Sequence, residues 1–275
     1  MYLSLIKTVK KLDDFSIEAI AESGQCFRAV QKSDDVWSVV AYGRQLDIRQ
    51  LGNGEFEFGC SDSEFDGIWR TYFDLDTDYG IYRSVVLEDD EYLKTAAAFG
   101  SGIRMLRQEP WEMLISFIIS QRKSVPAIRT SVERLSERFG TKIEGRDAYA
   151  FPGPEALAGA DTAKLAECGL GYRIDYVRNA AELTACGELR LDELDKLCTE
   201  ELIAELMKLK GVGIKVASCV ALFGYHRLDT VPVDVWMKRV IENVYHGELP
   251  EEYRQYAGVL QQYMFNYARL NKVGA

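Results

Sequence analysis

The chain is poor in the residues that hold metals. It has two histidines and six cysteines in 275 residues, and no cysteine pair has Cys-x-x-Cys spacing. The closest two, Cys186 and Cys198, are 12 positions apart, so neither a zinc knuckle nor an iron–sulfur cluster is expected. No apolar run approaches the roughly 20 residues that span a bilayer, and Met1 to Lys7 lacks the basic start and long apolar stretch of a secretion signal. We therefore expect a cytoplasmic protein with reduced thiols, no metal or organic cofactor and no membrane partner.

A net charge of −10 argues at first against nucleic acid. The charge is unevenly spread, however. Between Glu55 and Glu91 twelve acids face only Arg70 and Arg83, so this stretch carries the whole excess. From Arg104 to Arg138 there are seven bases against four acids, and from Glu205 to Arg227 four bases against one acid. Local basic faces of this kind suffice for phosphate contact. The acidic stretch itself reads as a solvated face.

The periodicity changes near residue 90. Before it, Val36–Tyr42, Gln45–Arg49 and Glu55–Phe58 read as short strands, with Asn53-Gly54 as a hairpin turn and Phe15–Ile20 as a short helix. After it the pattern is helical. Pro110 opens one helix, Ala127–Phe139 is amphipathic and stops at Gly140, and further helices are expected at 163–168, 174–186, 191–196, 199–209, 214–223, 234–245 and 250–270. This order predicts an α+β protein, with an antiparallel sheet domain over 1–90 and a helical body over 91–275.

The densest chemistry lies between Leu206 and Val240. Gly211 and Gly213 separate two helices. Glycine there permits a tight reversal and exposes N–H groups beside a helix N-terminus, which can hold a phosphate without reading sequence. A plain helix-to-helix turn also explains a lone Gly-x-Gly; Lys208, Lys210 and the residues that follow favour the phosphate reading. Lys215 stands among Val212, Ile214, Val216, Ala217, Val220 and Ala221, a setting that favours a free amine for Schiff-base chemistry. Asp234 follows Val231-Pro232-Val233. It can cap the next helix, serve as a carboxylate that stabilises positive charge on a sugar, or do both.

Gly-Val-Gly-x-Lys followed by Val-Pro-Val-Asp resembles the helix-hairpin-helix DNA glycosylase superfamily. Five further pieces extend the likeness to its 8-oxoguanine branch: Gly24–Arg28, Leu106–Pro110, Ser116–Ile118, Gly169–Arg173, and Ala257-Gly258 with Gln261 and Phe265. The resemblance implies a TATA-box-binding-protein-like sheet domain, then a mostly helical two-domain body with its hairpin at about 199–224. It also implies a bacterial monomer that acts on duplex DNA containing a damaged base. Carried over by position, Lys215 matches the nucleophile that attacks C1′ and then promotes β-elimination, and Asp234 matches the active-site carboxylate. Gly24 matches the glycine whose carbonyl accepts from the N7–H that 8-oxoguanine has and guanine lacks. Phe265 and Cys219 match the two faces that sandwich the flipped base, and Gln261 the amide that reads its Watson–Crick edge. From periodicity alone, Phe265, Gln261 and Cys219 are helix-packing residues.

The departures from the family pattern concern the DNA side. Where eukaryotic members carry an asparagine run, this chain has Gln121-Arg122-Lys123-Ser124, which puts Arg122 in the gap left by the flipped base. Ala127 stands where those members place an arginine that reads the orphaned cytosine. Arg173, beside the wedge Tyr172, is then the one cytosine-reading arginine left, and a weaker preference for cytosine opposite the lesion is expected. Trp236 replaces a histidine next to the carboxylate. Two other readings stay open at this level: an alkylpurine glycosylase and a non-catalytic DNA-binding protein on the same scaffold.

Overall fold

The computed structural model describes residues 6–272; the first five residues, which bear on the expected lack of a leader, and the last three lie outside them. Five strands form one sheet in the order β1-β5-β4-β3-β2: β1 (Thr8–Lys11), β2 (Ala29–Ser33), β3 (Val36–Ala41), β4 (Arg44–Gly52) and β5 (Glu55–Phe58). β5 runs antiparallel to both β1 and β4, and the two-residue links on either side of β3 require the same sense there. The alternation Glu55-Phe56-Glu57-Phe58 places both phenylalanines in the core, where Phe15 packs edge-on against Phe56 with ring centroids 5.0 Å apart. Neither outer strand was expected. Both are short edge strands with weak patterns of their own: β1 pairs with the distant β5, and β2, two residues before β3, buries only Ala29.

Nine helices carry the argument. They are α1 (Ile17–Glu22), α2 (Glu91–Phe99), α3 (Pro110–Ser120), α4 (Val125–Phe139), α5 (Ile174–Ala185), α6 (Thr199–Leu206), α7 (Ile214–Tyr225), α8 (Val235–Asn243) and α9 (Ala257–Asn271). Each begins where chemistry allows: Ser16 caps α1 by accepting from Ala19 N–H, Pro110 occupies the first turn of α3, and Asp234 caps α8. α3 and α7 are almost wholly apolar and pack together, with Phe117 stacked on Phe223 at 5.4 Å. That face-to-face pair adds about 1 kcal/mol beyond the area it buries. The 250–270 region is a 3-10 segment, Glu251–Tyr256, followed by α9 rather than one continuous helix. No helix among the described residues is long and apolar enough to cross a membrane.

The chain groups into two compact units. One compact unit takes the chain up to Ser38, Leu46–Arg107 and the chain from His226 onward; the other takes Val39–Gln45 and Gln108–Tyr225. The reason is long-range packing. α9 lies on α2, and its side chains reach back to the turn after α1: Gln262 and Arg269 donate to the carbonyls of Ser23 and Glu22. Conversely, the tip of the β3–β4 hairpin goes with the helical unit, because Tyr42 N–H donates to Glu109 at 3.1 Å. Neither contact leaves a signal in local sequence.

Candidate active site and nucleic-acid interface

In the helical unit the hairpin is formed by α6 and α7. Gly211 takes φ +80°, and a Cβ there would lie 2.2 Å from the Tyr176 ring, so the ring of α5 occupies the space the missing side chain leaves. Gly213 is different. It is exposed, its φ is not positive, and nothing lies within 4 Å of where its Cβ would be. Its smallness therefore opens the approach to the first turn of α7, whose N–H groups lack intrahelical partners. Two residues on, Lys215 is half-buried with Nζ 5.3 Å from the centroid of Phe117, which holds the amine over an apolar ring rather than in open solvent. Cys219, one turn further along α7, is buried.

The turn after α3 meets this hairpin through Gln121. Its side-chain amide donates to the Gly211 carbonyl at 3.1 Å, and its own carbonyl accepts from Arg173. Arg122 follows at φ +52°, exposed and in the left-handed region that side chains avoid at a cost of about 1–2 kcal/mol. Tyr172 is 52 % exposed, and its ring sits edge-on to Tyr176 at 5.9 Å. Lys123 donates to the Gly169 carbonyl at 2.7 Å and pins the Gly169-Leu170-Gly171 turn that presents Tyr172. Burial, then Arg173 and Arg134, push its ammonium below the usual lysine range. Arg173 itself is only 6 % exposed. Its guanidinium donates to the carbonyls of Leu170 and Gln121 and lies over Tyr172 at 4.4 Å, so here it braces Tyr172 rather than facing solvent.

The sheet-containing unit holds the other candidates. Gly24 takes φ +78°, and a Cβ there would meet Phe265 Cε1 at 3.1 Å, so the glycine backbone and the aromatic face are neighbours. Gln261 lies one helical turn before Phe265 on the same side of α9. It is 3 % exposed, and its Oε1 has no hydrogen-bond partner among the described residues. A buried amide oxygen without a partner is costly, and a ligand donor is the natural remedy. Gly24 and Phe265 are thus neighbours, and Gln261, one turn away from Phe265 on α9, carries an unsatisfied buried acceptor.

Gln25 holds the Gly24 turn from the other side. Its amide donates to Ser23 Oγ at 2.8 Å and to the Arg104 carbonyl at 2.9 Å, while its oxygen accepts Leu106 N–H at 2.8 Å. Arg104 is in turn buried, with its guanidinium donating to four backbone carbonyls and stacked on Tyr79 at 4.3 Å. Gln25, Gln262, Arg269 and Arg104 were not singled out from sequence. Apart from Ser23, two positions before Gln25, their hydrogen-bond partners lie 27 to 247 positions away, and only the fold joins them. Gly24→Ala should therefore lower the melting temperature by a few degrees and displace Phe265. Single-turnover base release should fall at least about tenfold while duplex affinity stays near parental. Unchanged release would remove Gly24 from the pocket.

Asp234 caps α8 with one oxygen: Oδ1 accepts from Trp236 N–H at 3.0 Å and Met237 N–H at 2.9 Å. Oδ2 has no partner among the described residues, so the carboxylate both caps and keeps a free acceptor. The approach to it is fixed by Gly258 N–H donating to the Leu228 carbonyl at 2.7 Å. Trp236 is half-buried, while Val235 beside it is 67 % exposed. Tyr172 itself, and Ile214, Val233 and Val235 next in sequence to candidate residues, are exposed apolar side chains.

Residues 7–114 match the model of the 8-oxoguanine DNA glycosylase N-terminal domain, and residues 115–260 that of the HhH-GPD superfamily of base excision DNA repair proteins. The fold is similar to that of MBOgg1 in complex with a low-affinity DNA ligand, at 37 % identity and TM-score 0.89, covering 97 % of this chain and 96 % of that one. It is equally similar to Clostridium acetobutylicum 8-oxoguanine glycosylase/lyase in complex with duplex DNA containing cytosine opposite 8-oxoguanine, at 31 % identity and TM-score 0.89, covering 98 % and 99 % of the two chains. The N-glycosylase/DNA lyase of Saccharomyces cerevisiae is 37 % identical over 177 residues, 58 % of this chain and 47 % of that protein. The chain belongs to the 8-oxoguanine DNA glycosylase family of the HhH-GPD superfamily.

Proposed function

We propose that the protein is a bifunctional glycosylase and abasic-site lyase that removes 8-oxoguanine from duplex DNA. The observation that carries this reading is Lys215, half-buried over Phe117 and two residues beyond the open Gly213 of the hairpin; Gly24 against Phe265, with the unsatisfied acceptor of Gln261 on the same helix as Phe265, supports it independently. The hairpin and Arg122 hold the duplex, Tyr172 wedges the stack, and the flipped base meets Phe265, Cys219 and Gln261. The Gly24 carbonyl accepts from N7–H of the oxidised base. Guanine offers a lone pair at that position instead, and a buried carbonyl rejects it.

In the reaction the Lys215 amine forms a bond to C1′ as the C1′–base bond breaks and the base leaves with its electron pair. Asp234, through Oδ2, stabilises the positive charge that develops on the sugar, while Oδ1 stays engaged with α8. The amine loses a proton, and the sugar ring opens to a protonated imine. Removal of a C2′ proton then expels the 3′ phosphate by β-elimination. Lys215 distinguishes this chemistry from that of alkylpurine glycosylases, which use aspartate and water. An alkylpurine relative of known structure, the 3-methyladenine DNA glycosylase from Archaeoglobus fulgidus, shares the fold at 21 % identity and TM-score 0.75.

Borohydride trapping on a duplex with one 8-oxoguanine tests the reading: a covalent protein–DNA adduct supports it, and base release without an adduct points to aspartate and water. Opposite-base preference is a separate expected outcome. Ala127 is exposed without a reading group, and Arg173 is engaged by backbone carbonyls. Excision rates should therefore differ by less than about tenfold between cytosine and the other opposite bases, because one missing bidentate base contact removes about 1–3 kcal/mol of discrimination. A preference of a hundredfold or more for cytosine would show that Arg173 swings out to read it.

A further inference from the structure

Arg239 lies on α8, five residues beyond the cap Asp234, and it is half-buried. Among the described residues no carboxylate, carbonyl or hydroxyl engages its guanidinium; its one contact is the face of Trp236, with Cζ 5.0 Å from the ring centroid. Several other arginines of this chain, whose net charge is −10, are paired instead. Arg70, Arg83, Arg107, Arg138 and Arg254 each have a carboxylate within 3.2 Å. A partly buried cation without a counter-charge is unfavourable unless a ligand supplies one.

The local geometry indicates which ligand. Trp236 and Arg239 are three residues apart on α8, so their side chains lie on one face of the helix. Helical side chains lean toward the N-terminus, which carries the guanidinium toward the first turn and Asp234. Placed over the indole with Cζ 5.0 Å from the ring centroid, the guanidinium has its N–H groups unengaged among the described residues, and such a group can hold an oxyanion bidentately. The partial positive charge of the α8 N-terminus favours an anion at the same end. We propose that Arg239, held by Trp236, binds a backbone phosphate of the damaged strand and so sets the register of that strand against Asp234. This rests on the DNA glycosylase reading above. It adds a positioning contact that carries no sequence information.

The test is the salt dependence of binding to a duplex that carries a tetrahydrofuran abasic-site analogue. Arg239→Gln should lower the steepness of log K against log salt by about 0.9, the value of one lost phosphate contact, and weaken binding about tenfold at low salt. Arg239→Lys keeps the charge and should keep the parental slope. Lys238 is an exposed neighbour paired with Glu242 at 3.7 Å, and Lys238→Gln removes the same charge without touching the stacked pair. It should also leave the slope unchanged. An unaltered slope in Arg239→Gln, or an equal fall in Lys238→Gln, would overturn the proposal while leaving the glycosylase reading in place. Salt-independent binding by the parent protein would overturn both. Because Arg239 has no other partner, Arg239→Gln should melt with the parent; should it unfold, Trp236→Leu at unchanged affinity would reject the stacked pair, and at weakened affinity would support it.

Discussion

Lys215→Gln is expected to abolish the borohydride-trapped adduct and to slow 8-oxoguanine release by at least about a thousandfold, the scale on which loss of a covalent nucleophile registers. The substitution is nearly isosteric, and glutamine is as good a helix former as lysine. It removes the amine lone pair and the cation above Phe117, whose centroid lies 5.3 Å from Nζ. Loss of that contact costs about 1 kcal/mol or less, so thermal stability should barely move. Duplex binding should persist, because the hairpin that carries phosphate contact ends at Gly213. Adduct yield, single-turnover release and melting temperature on one preparation separate the chemical role from a structural one. If the variant still forms an adduct, another amine is the nucleophile and the mechanism above is wrong.

Asp234 offers the sharper test, because its two roles can be separated by choice of substitution. Asparagine caps a helix as well as aspartate does, so Asp234→Asn should keep the bonds to Trp236 N–H and Met237 N–H and melt within about 2 °C of the parent. It loses the charge at Oδ2, and turnover should fall about 10²- to 10⁴-fold. Asp234→Ala loses the cap as well, costing about 1 kcal/mol and a few degrees in melting temperature. Should Asp234→Asn retain full activity while Asp234→Ala is merely less stable, the carboxylate is only a cap and the sugar's charge must be stabilised elsewhere.

Local sequence was enough wherever the physics is local. Proline at the start of α3, the Asn53-Gly54 turn, the two glycines of the hairpin and the aspartate before α8 each act over a few residues. Their elements therefore stand where the pattern places them, with ends shifted by two or three residues: α4 from Val125 instead of Ala127, and α6 closing at Leu206 instead of Leu209. The motif pair at Lys215 and Asp234 was visible for the same reason, since spacing along one segment carries it.

What tertiary structure alone decided depends on contacts between distant residues. The edge strands β1 and β2 exist because a sheet is there to receive them. The division into units follows from α9 packing on α2 and reaching back to Ser23, and a break in periodicity at residue 90 cannot show that. Gly24 was legible as a motif residue, but its seat against Phe265 and its bracing by Gln25 were not. The two glycines of the hairpin looked equivalent in sequence; only the fold shows that one receives a tyrosine ring and the other faces open space. Arg173 likewise reads, by the resemblance, as an arginine that faces the orphaned cytosine, and only the fold shows its guanidinium donating to two carbonyls. Hydrogen bonds and ring contacts across 50 to 250 residues leave no periodic trace, because each partner's side chain satisfies its own local pattern equally well without the other.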